Sequence, residues 1–431
     1  MARRGLIPGT KRRWWAIVGL LMLSVGWSTG WAANDGIAVL TNTYSYAFGH
    51  TITFHLEASS SAEITQVQLT FGPAGRSDEA ITVPTAFTPG THVVTDYAHD
   101  LTGHHFQAFG QIEYYWVVTD ARRRRLPTAP VRFEYADDRF QWQKLDEAGV
   151  TVAWYGGTRD RRFGRTAMFD AQLARSKIAA VTDGNPEQAF RVYIYSTAAD
   201  LQTAAQVNQQ EWIVGQAYPR TATCLVLIPD GADNARELRR VVPHEITHLL
   251  IGDLAARMPR WLDEGLATDN EGVHDPAAQT ALDEAAAAGA LLPFEQLCAR
   301  FPADPHQAAL AYAQSGSLMA FIRERYGPEA LRRMVAAYGA APDCQAGLHS
   351  ALGLTLAQLQ TDWESTQPRP TDLGRVLQAG APWLALCLGG GLVVLLALPS
   401  VSPWAGRRQV AAQVGRASDS ATRETRESKS K

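Results

Sequence analysis

Residues 243–250 read Pro243-His244-Glu245-Ile246-Thr247-His248-Leu249-Leu250, and residues 259–267 read Pro259-Arg260-Trp261-Leu262-Asp263-Glu264-Gly265-Leu266-Ala267. On a helix, side chains four apart share a face, so His244 and His248 can each turn an imidazole nitrogen toward one ion. Glu264, sixteen positions after His248 on a second apolar-patterned segment, supplies a third ligand. Three protein ligands with an open fourth position are what a catalytic Zn2+ requires. Glu245, next along the helix from His244, is placed beside the water that would occupy the open position.

Working outward, the first segment lies in a stretch of helical character over residues 236–254, led in by the strand-like run 223–228. Pro243 is a departure, because a continuous helix would want a backbone donor there for the carbonyl of Arg239. Either the helix is kinked at Pro243, or it starts there with the proline in its first turn. The bland reading of the two histidines is an amphipathic helix with solvated imidazoles, and the downstream Glu264 argues against it.

The two segments together resemble the gluzincin metallopeptidases, more narrowly the bacterial membrane-anchored peptidase MA-like proteins, in which the Glu of a Trp-Leu-x-Glu-Gly segment is the third ligand. The resemblance covers roughly residues 136–367. It implies an α+β zincin-like catalytic domain over residues 137–370, a small sheet followed by helices that carry the zinc. It implies hydrolysis of peptide bonds by a zinc-activated water, with Glu245 as general base. Tyr312, in the helical stretch 308–315, matches the Ala-Tyr segment that follows the zinc helices in this group, and its hydroxyl is the candidate donor to the developing oxyanion; a core aromatic is the alternative. Asp269 is either a partner that orients a ligand imidazole or a surface helix-end residue. Residues 212–217 read as the edge strand to which an extended substrate adds, with Gly215 allowing close approach, or else as an interior strand.

Upstream, residues 34–136 hold short alternating runs at 51–56, 64–71, 112–118 and 131–135. Period-two alternation between turn residues predicts an all-β, immunoglobulin- or fibronectin-like antiparallel sandwich of roughly seven strands. No catalytic constellation lies in it: His104-His105 read as a solvated loop pair, and residues 122–125, four consecutive arginines, as a solvated hairpin turn. From residue 137 the pattern changes to strands at 150–155, 190–195, 212–218 and 223–228, a helix over 162–181, and mainly helix from 236 to 364.

The two ends set the expected location. Arg3, Arg4, Lys11, Arg12 and Arg13 precede an apolar stretch from Trp14 to Trp27 and a small-residue site near Ala32-Ala33, so residues 1–33 read as a signal peptide, with an uncleaved anchor as the alternative. No charge falls between Val376 and Gly406, and residues 376–404 read as one transmembrane helix with Trp383 and Trp404 near its ends. The tail, residues 405–431, carries seven Lys or Arg against three Asp or Glu, which the positive-inside rule puts in the cytoplasm. The expectation is a single-pass membrane protein whose folded domains lie outside the cytoplasm and meet peptide or protein substrates there.

Formal net charge is only -3 over 431 residues, so nothing global suggests nucleic acid. Of the four cysteines, Cys298 and Cys344 are able to pair in an oxidising exterior, whereas Cys224 sits in a strand beside the site. A catalytically inactive surface binding or scaffold protein that keeps its zincin-like domain is the rival reading. The intact Glu245 argues against it. A structural zinc site would need a fourth protein ligand, for which His274 is the only nearby candidate.

Overall fold

The computed structural model describes residues 36–368, apart from 103–105, 157–158, 206–213, 232–233 and 342. The expected signal peptide (1–33), transmembrane helix (376–404) and tail (405–431), together with His104, His105, Trp212 and Ile213, lie outside the described residues. Among the described residues, no helix is long and apolar enough to cross a membrane.

Seven antiparallel strands come first: β1 (Ile37–Ala47), β2 (Thr51–Pro73), β3 (Ile81–Pro84), β4 (Gly90–Asp100), β5 (Gln111–Asp120), β6 (Arg125–Pro127) and β7 (Val131–Glu134). The runs at 51–56 and 64–71, separate in the sequence reading, belong to one 23-residue strand, β2. Its first half lies between β1 and β4 and its second half between β5 and β3, so all seven strands join one hydrogen-bonded sheet. A register break between Ile64 and Gln66 shifts the inward face of β2 from Ile52, Phe54, Leu56 and Ala58 to Val67, Leu69 and Phe71. One extra residue is enough to invert a period-two pattern. Phe54 meets Phe71 and Tyr114 at ring separations of 5.0 and 4.8 Å, which brings the two halves of the sheet onto one apolar core. Residues 122–125 make the turn between β5 and β6, where the buried Asp120 accepts from the N–H groups of Arg122 and Arg124 and pairs with the Arg124 guanidinium.

A second sheet follows, built from β8 (Gln143–Glu147), β9 (Val150–Trp154), β10 (Phe190–Tyr195), β11 (Gly215–Tyr218) and β12 (Thr223–Leu227) in the order β11-β12-β10-β9-β8. The three central strands are parallel; β8 and β11 are antiparallel edges. Both faces are covered, which explains the nearly unbroken apolar runs of the central strands. Three helices go with this sheet: α1 (Arg161–Thr182), α2 (Ala198–Ala205) and α3 (Asn234–Ile251). Val152, Trp154, Val192, Ile194 and Val226 pack on α1 and α3, while Ala153, Tyr193, Tyr195 and Leu225 face the N-terminal sheet.

The chain then turns helical: α4 (Arg260–Asn270), α5 (Pro276–Ala288), α6 (Phe294–Cys298), α7 (Pro305–Tyr326), α8 (Pro328–Ala340), α9 (Cys344–Leu352) and α10 (Leu356–Glu364). Trp261, Leu262, Leu318, Met334 and Trp363 are among the core residues of this bundle. Cys298 and Cys344 are joined by a disulfide that ties α6 to the start of α9. The architecture is thus mixed α+β, β-rich at the N-terminus and helical around the paired histidines. Pro243 neither starts the histidine helix nor ends it: α3 runs through it from Asn234 to Ile251.

Candidate metal centre and active site

Helix α3 buries Leu238, Val241, Val242, Ile246 and Leu249 against the second sheet, each side chain worth about 1.5–3 kcal/mol of apolar burial. Those positions fix the rotation of the helix. His244 and His248 are then held on the side facing α4, with side chains 17% and 19% exposed. Opposite them, Glu264 is 1% exposed. On the other side of α4, Gly265 lets α7 press directly on it, because a Cβ there would stand 2.8 Å from the carbonyl oxygen of Ser315.

Three ligand atoms converge. The Nε2 atoms of His244 and His248 are 3.3 Å apart, and Glu264 Oε2 is 3.3 Å from the first and 3.5 Å from the second. A tetrahedral zinc with bonds of about 2.0–2.1 Å separates its ligand atoms by about 3.3–3.4 Å, so the triangle has the right size. Glu264 Oε2 is buried and faces the two imidazoles without a conventional hydrogen bond, an arrangement that suits an ion between the three atoms. Among the described residues these three are the group able to hold a metal, and the exposed His274 is not part of it.

The surrounding carboxylates set the tautomers. His244 Nδ1 donates to Glu271 Oε1 at 2.9 Å and His248 Nδ1 to Asp263 Oδ1 at 3.0 Å, which leaves each Nε2 lone pair for the metal. Asp269, weighed as an orienting residue, pairs instead with Arg323. Arg260 reaches Asp263 Oδ2 at 2.9 Å and also grips Glu264 Oε1, and Tyr312 donates to the same Oε1 at 3.4 Å. Glu264 is therefore held by its outer oxygen. The i,i+3 and i,i+4 spacing from Arg260 to Asp263 and Glu264 was a legible signal; for Glu271, beyond the end of α4, the sequence offers none.

Burial disfavours charge on both imidazoles, yet the neighbouring carboxylates outweigh it and push His244 up to about 9 and His248 up to about 10 in the metal-free chain. Burial likewise opposes ionisation of Glu264, but the two histidines hold it well below the usual carboxylate range. Glu245 is 7% exposed, and burial pushes its carboxyl upward against the pull of both histidines. Cys224 is buried, donates to the carbonyl of Glu245 at 3.5 Å, and has its thiol pushed well up by burial. It is not a ligand.

Glu245 faces the edge of the second sheet. A Cβ at Gly215 would lie 2.4 Å from Glu245 Cδ, so any larger residue at 215 would move the Glu245 carboxyl from where it stands. Among the described residues β11 is the terminal strand beyond β12. Residues 214–217 line a cavity of about 870 Å³ together with residues of α3, α4, α5 and α7, among them His244, Glu245, His248, Glu264 and Tyr312. A cavity of this size with convergent polar groups suits a bound chain segment.

Residues 170–367 match the Peptidase MA superfamily. The match begins inside α1 and ends beyond α10, so it contains both helices of the metal centre, and it supports the zinc metallopeptidase resemblance. No curated protein matches the sequence. Among solved structures, the chain is similar to wild-type OgpA from Akkermansia muciniphila at 9% identity, covering 24% of this chain and 30% of that one with a TM-score of 0.20. It thus spans about a third of OgpA. It is also similar to an M1 zinc metallopeptidase from Deinococcus radiodurans at 14% identity, covering 78% of this chain and 97% of that one, TM-score 0.35. An aminopeptidase N family protein from Idiomarina loihiensis is similar at 10% identity, with 73% of each chain covered and a TM-score of 0.37.

Proposed function

We propose that this chain is a zinc metallopeptidase that acts outside the cytoplasm while tethered to a membrane, with His244, His248 and Glu264 as ligands and Glu245 as general base. The observation that carries the reading is the triangle of ligand atoms at 3.3, 3.3 and 3.5 Å with an unpartnered carboxylate oxygen at one corner. Zinc in such a site supplies Lewis acidity that polarises a carbonyl and acidifies water. The buried Glu245, with its basicity raised, takes a proton and later returns it to the leaving amine. The outer edge of β11, the terminal strand among the described residues, offers backbone groups to an extended peptide, and Gly215 lets that peptide pass over the carboxyl of Glu245. Tyr312 exchanges Glu264 Oε1 for the developing oxyanion.

The tether rests on the basic and apolar pattern of residues 1–33 and on the uncharged stretch 376–404 with its basic tail. The β-rich residues 34–136 are assigned as an immunoglobulin- or fibronectin-like module beside the peptidase.

The deciding experiment uses residues 34–369. Zinc per chain is measured, and cleavage of a mixed peptide library is compared between wild type and Glu245→Gln. Expected are one zinc in both and a rate at least about 100-fold lower in the variant. Zinc retained without cleavage by wild type would instead identify a binding or scaffold protein. Unchanged zinc affinity in Glu264→Ala would remove the third ligand.

A further inference from the structure

We infer that Pro243 is a positioning residue for the imidazole of His244, acting through the carbonyl that it leaves without a donor. The inference rests on the metal-centre reading above. In an α-helix each carbonyl accepts from the N–H four residues later, and proline has no N–H to give. Within α3 the carbonyl so released is that of Arg239. It accepts instead from the backbone N–H of Gly272, at 2.8 Å, just past the end of α4. An alanine at 243 would bring its own N–H to that carbonyl in competition with Gly272.

What Gly272 holds in place is Glu271. The N–H of Glu271 donates to Thr268 O at 3.2 Å and that of Gly272 to Arg239 O, so both peptide groups flanking the Glu271 side chain are fixed. The carboxylate then meets His244 Nδ1 at 2.9 Å. The preceding residue is stitched to the same helix: Asn270 Nδ2 donates to Thr247 Oγ1 at 2.9 Å, and Thr247 donates to Pro243 O at 2.8 Å. Three consecutive residues, 270 to 272, therefore grip α3 at Thr247, His244 and Arg239. The last grip uses the carbonyl that Pro243 leaves without a helical donor. A partner on the outer nitrogen of a metal-binding imidazole fixes its tautomer and raises its basicity, so loosening Glu271 weakens the ligand itself.

The test is a double-mutant cycle on residues 34–369, with zinc as the probe and affinity measured by chelator competition. Pro243→Ala is expected to weaken zinc binding about 10- to 100-fold without lowering the melting temperature of the zinc-free chain, since α3 regains a hydrogen bond. Glu271→Gln is expected to do the same. The double variant should be no weaker than the weaker single, because both substitutions act through one contact. The d–d spectrum of the cobalt-loaded protein should change in the same sense for both singles. If Pro243→Ala does not fold, Gly272→Pro, which removes the other partner and leaves α3 intact, takes its place with the same expected loss of zinc affinity. Wild-type zinc affinity in Pro243→Ala, or losses that simply add in the double variant, would overturn the inference while leaving the metal centre standing. A wild-type chain that takes up no zinc overturns both.

Discussion

At the scale of single residues, the site depends as much on what is missing from a side chain as on what is present. Gly215 has no Cβ, and the point where one would stand is 2.4 Å from Glu245 Cδ. On the proposed function, Gly215→Ala displaces the carboxyl of Glu245, the proposed base, and leaves the three proposed ligand atoms alone. Zinc affinity is expected to stay within a few-fold of wild type, and kcat/KM to fall at least about tenfold, or about 1.4 kcal/mol in transition-state stabilisation. Zinc titration and peptide cleavage on the same preparation check this; a fully active Gly215→Ala chain would mean that the strand does not sit over the base. That His244, His248 and Glu264 come together was legible, because residue type and spacing put them on facing helices. Glu271 was not, because its contact with His244 crosses from one helix to the end of another, and no periodicity encodes that.

Helices and strands were legible where they bury a face. Strand β10 and helix α1 follow their apolar patterns almost to the residue, whereas β8, an edge strand whose five residues are mostly exposed, carries no pattern to read. The packing of α1 on α3 makes its own prediction. Asp170 of α1 is 5% exposed, its Oδ2 has no hydrogen-bond partner, and burial pushes its carboxyl up to about 6 against the pull of Arg239. The folded value lies above the ordinary carboxylate value near 4, so ionisation is harder in the folded chain and stability falls as pH rises from about 4 to about 6. Asp170→Asn keeps the shape and removes the charge. It is expected to stabilise the fold by about 1–2 kcal/mol at pH 8 and by close to nothing at pH 4, measured by denaturant melts at both pH values. A gain that did not depend on pH would show that Asp170 is already neutral or already paired at pH 8.

At the scale of the whole molecule, the change of pattern near residue 137 was readable, but the way the two parts meet was not, because it depends on side chains far apart in sequence. Across the junction Phe109 stacks on Tyr193 with rings 3.4 Å apart and 9° from parallel, and it stands edge-on to Trp142 at 5.7 Å. Arg191 of β10 reaches back to Glu134 and to the carbonyl of Phe109 at 2.9 Å, while Trp142, edge-on to Tyr193, Tyr155 and Tyr195, braces the second part's own side of the contact. Residues 137–368 expressed alone would bare Tyr193, Leu225 and the rest of that face. The isolated piece is expected to aggregate or bind a hydrophobic dye strongly, whereas residues 34–369 stay monodisperse on size exclusion. A well-behaved isolated piece would show that the aromatic contact is dispensable.

The row of rings also limits how this protein can be rebuilt. The N-terminal strands cannot be exchanged for another module of similar size unless the newcomer offers a ring where Phe109 lies and a surface to meet Tyr193 and Leu225. Front and back therefore have to change in step, and any graft that ignores this joins two pieces whose facing surfaces do not fit.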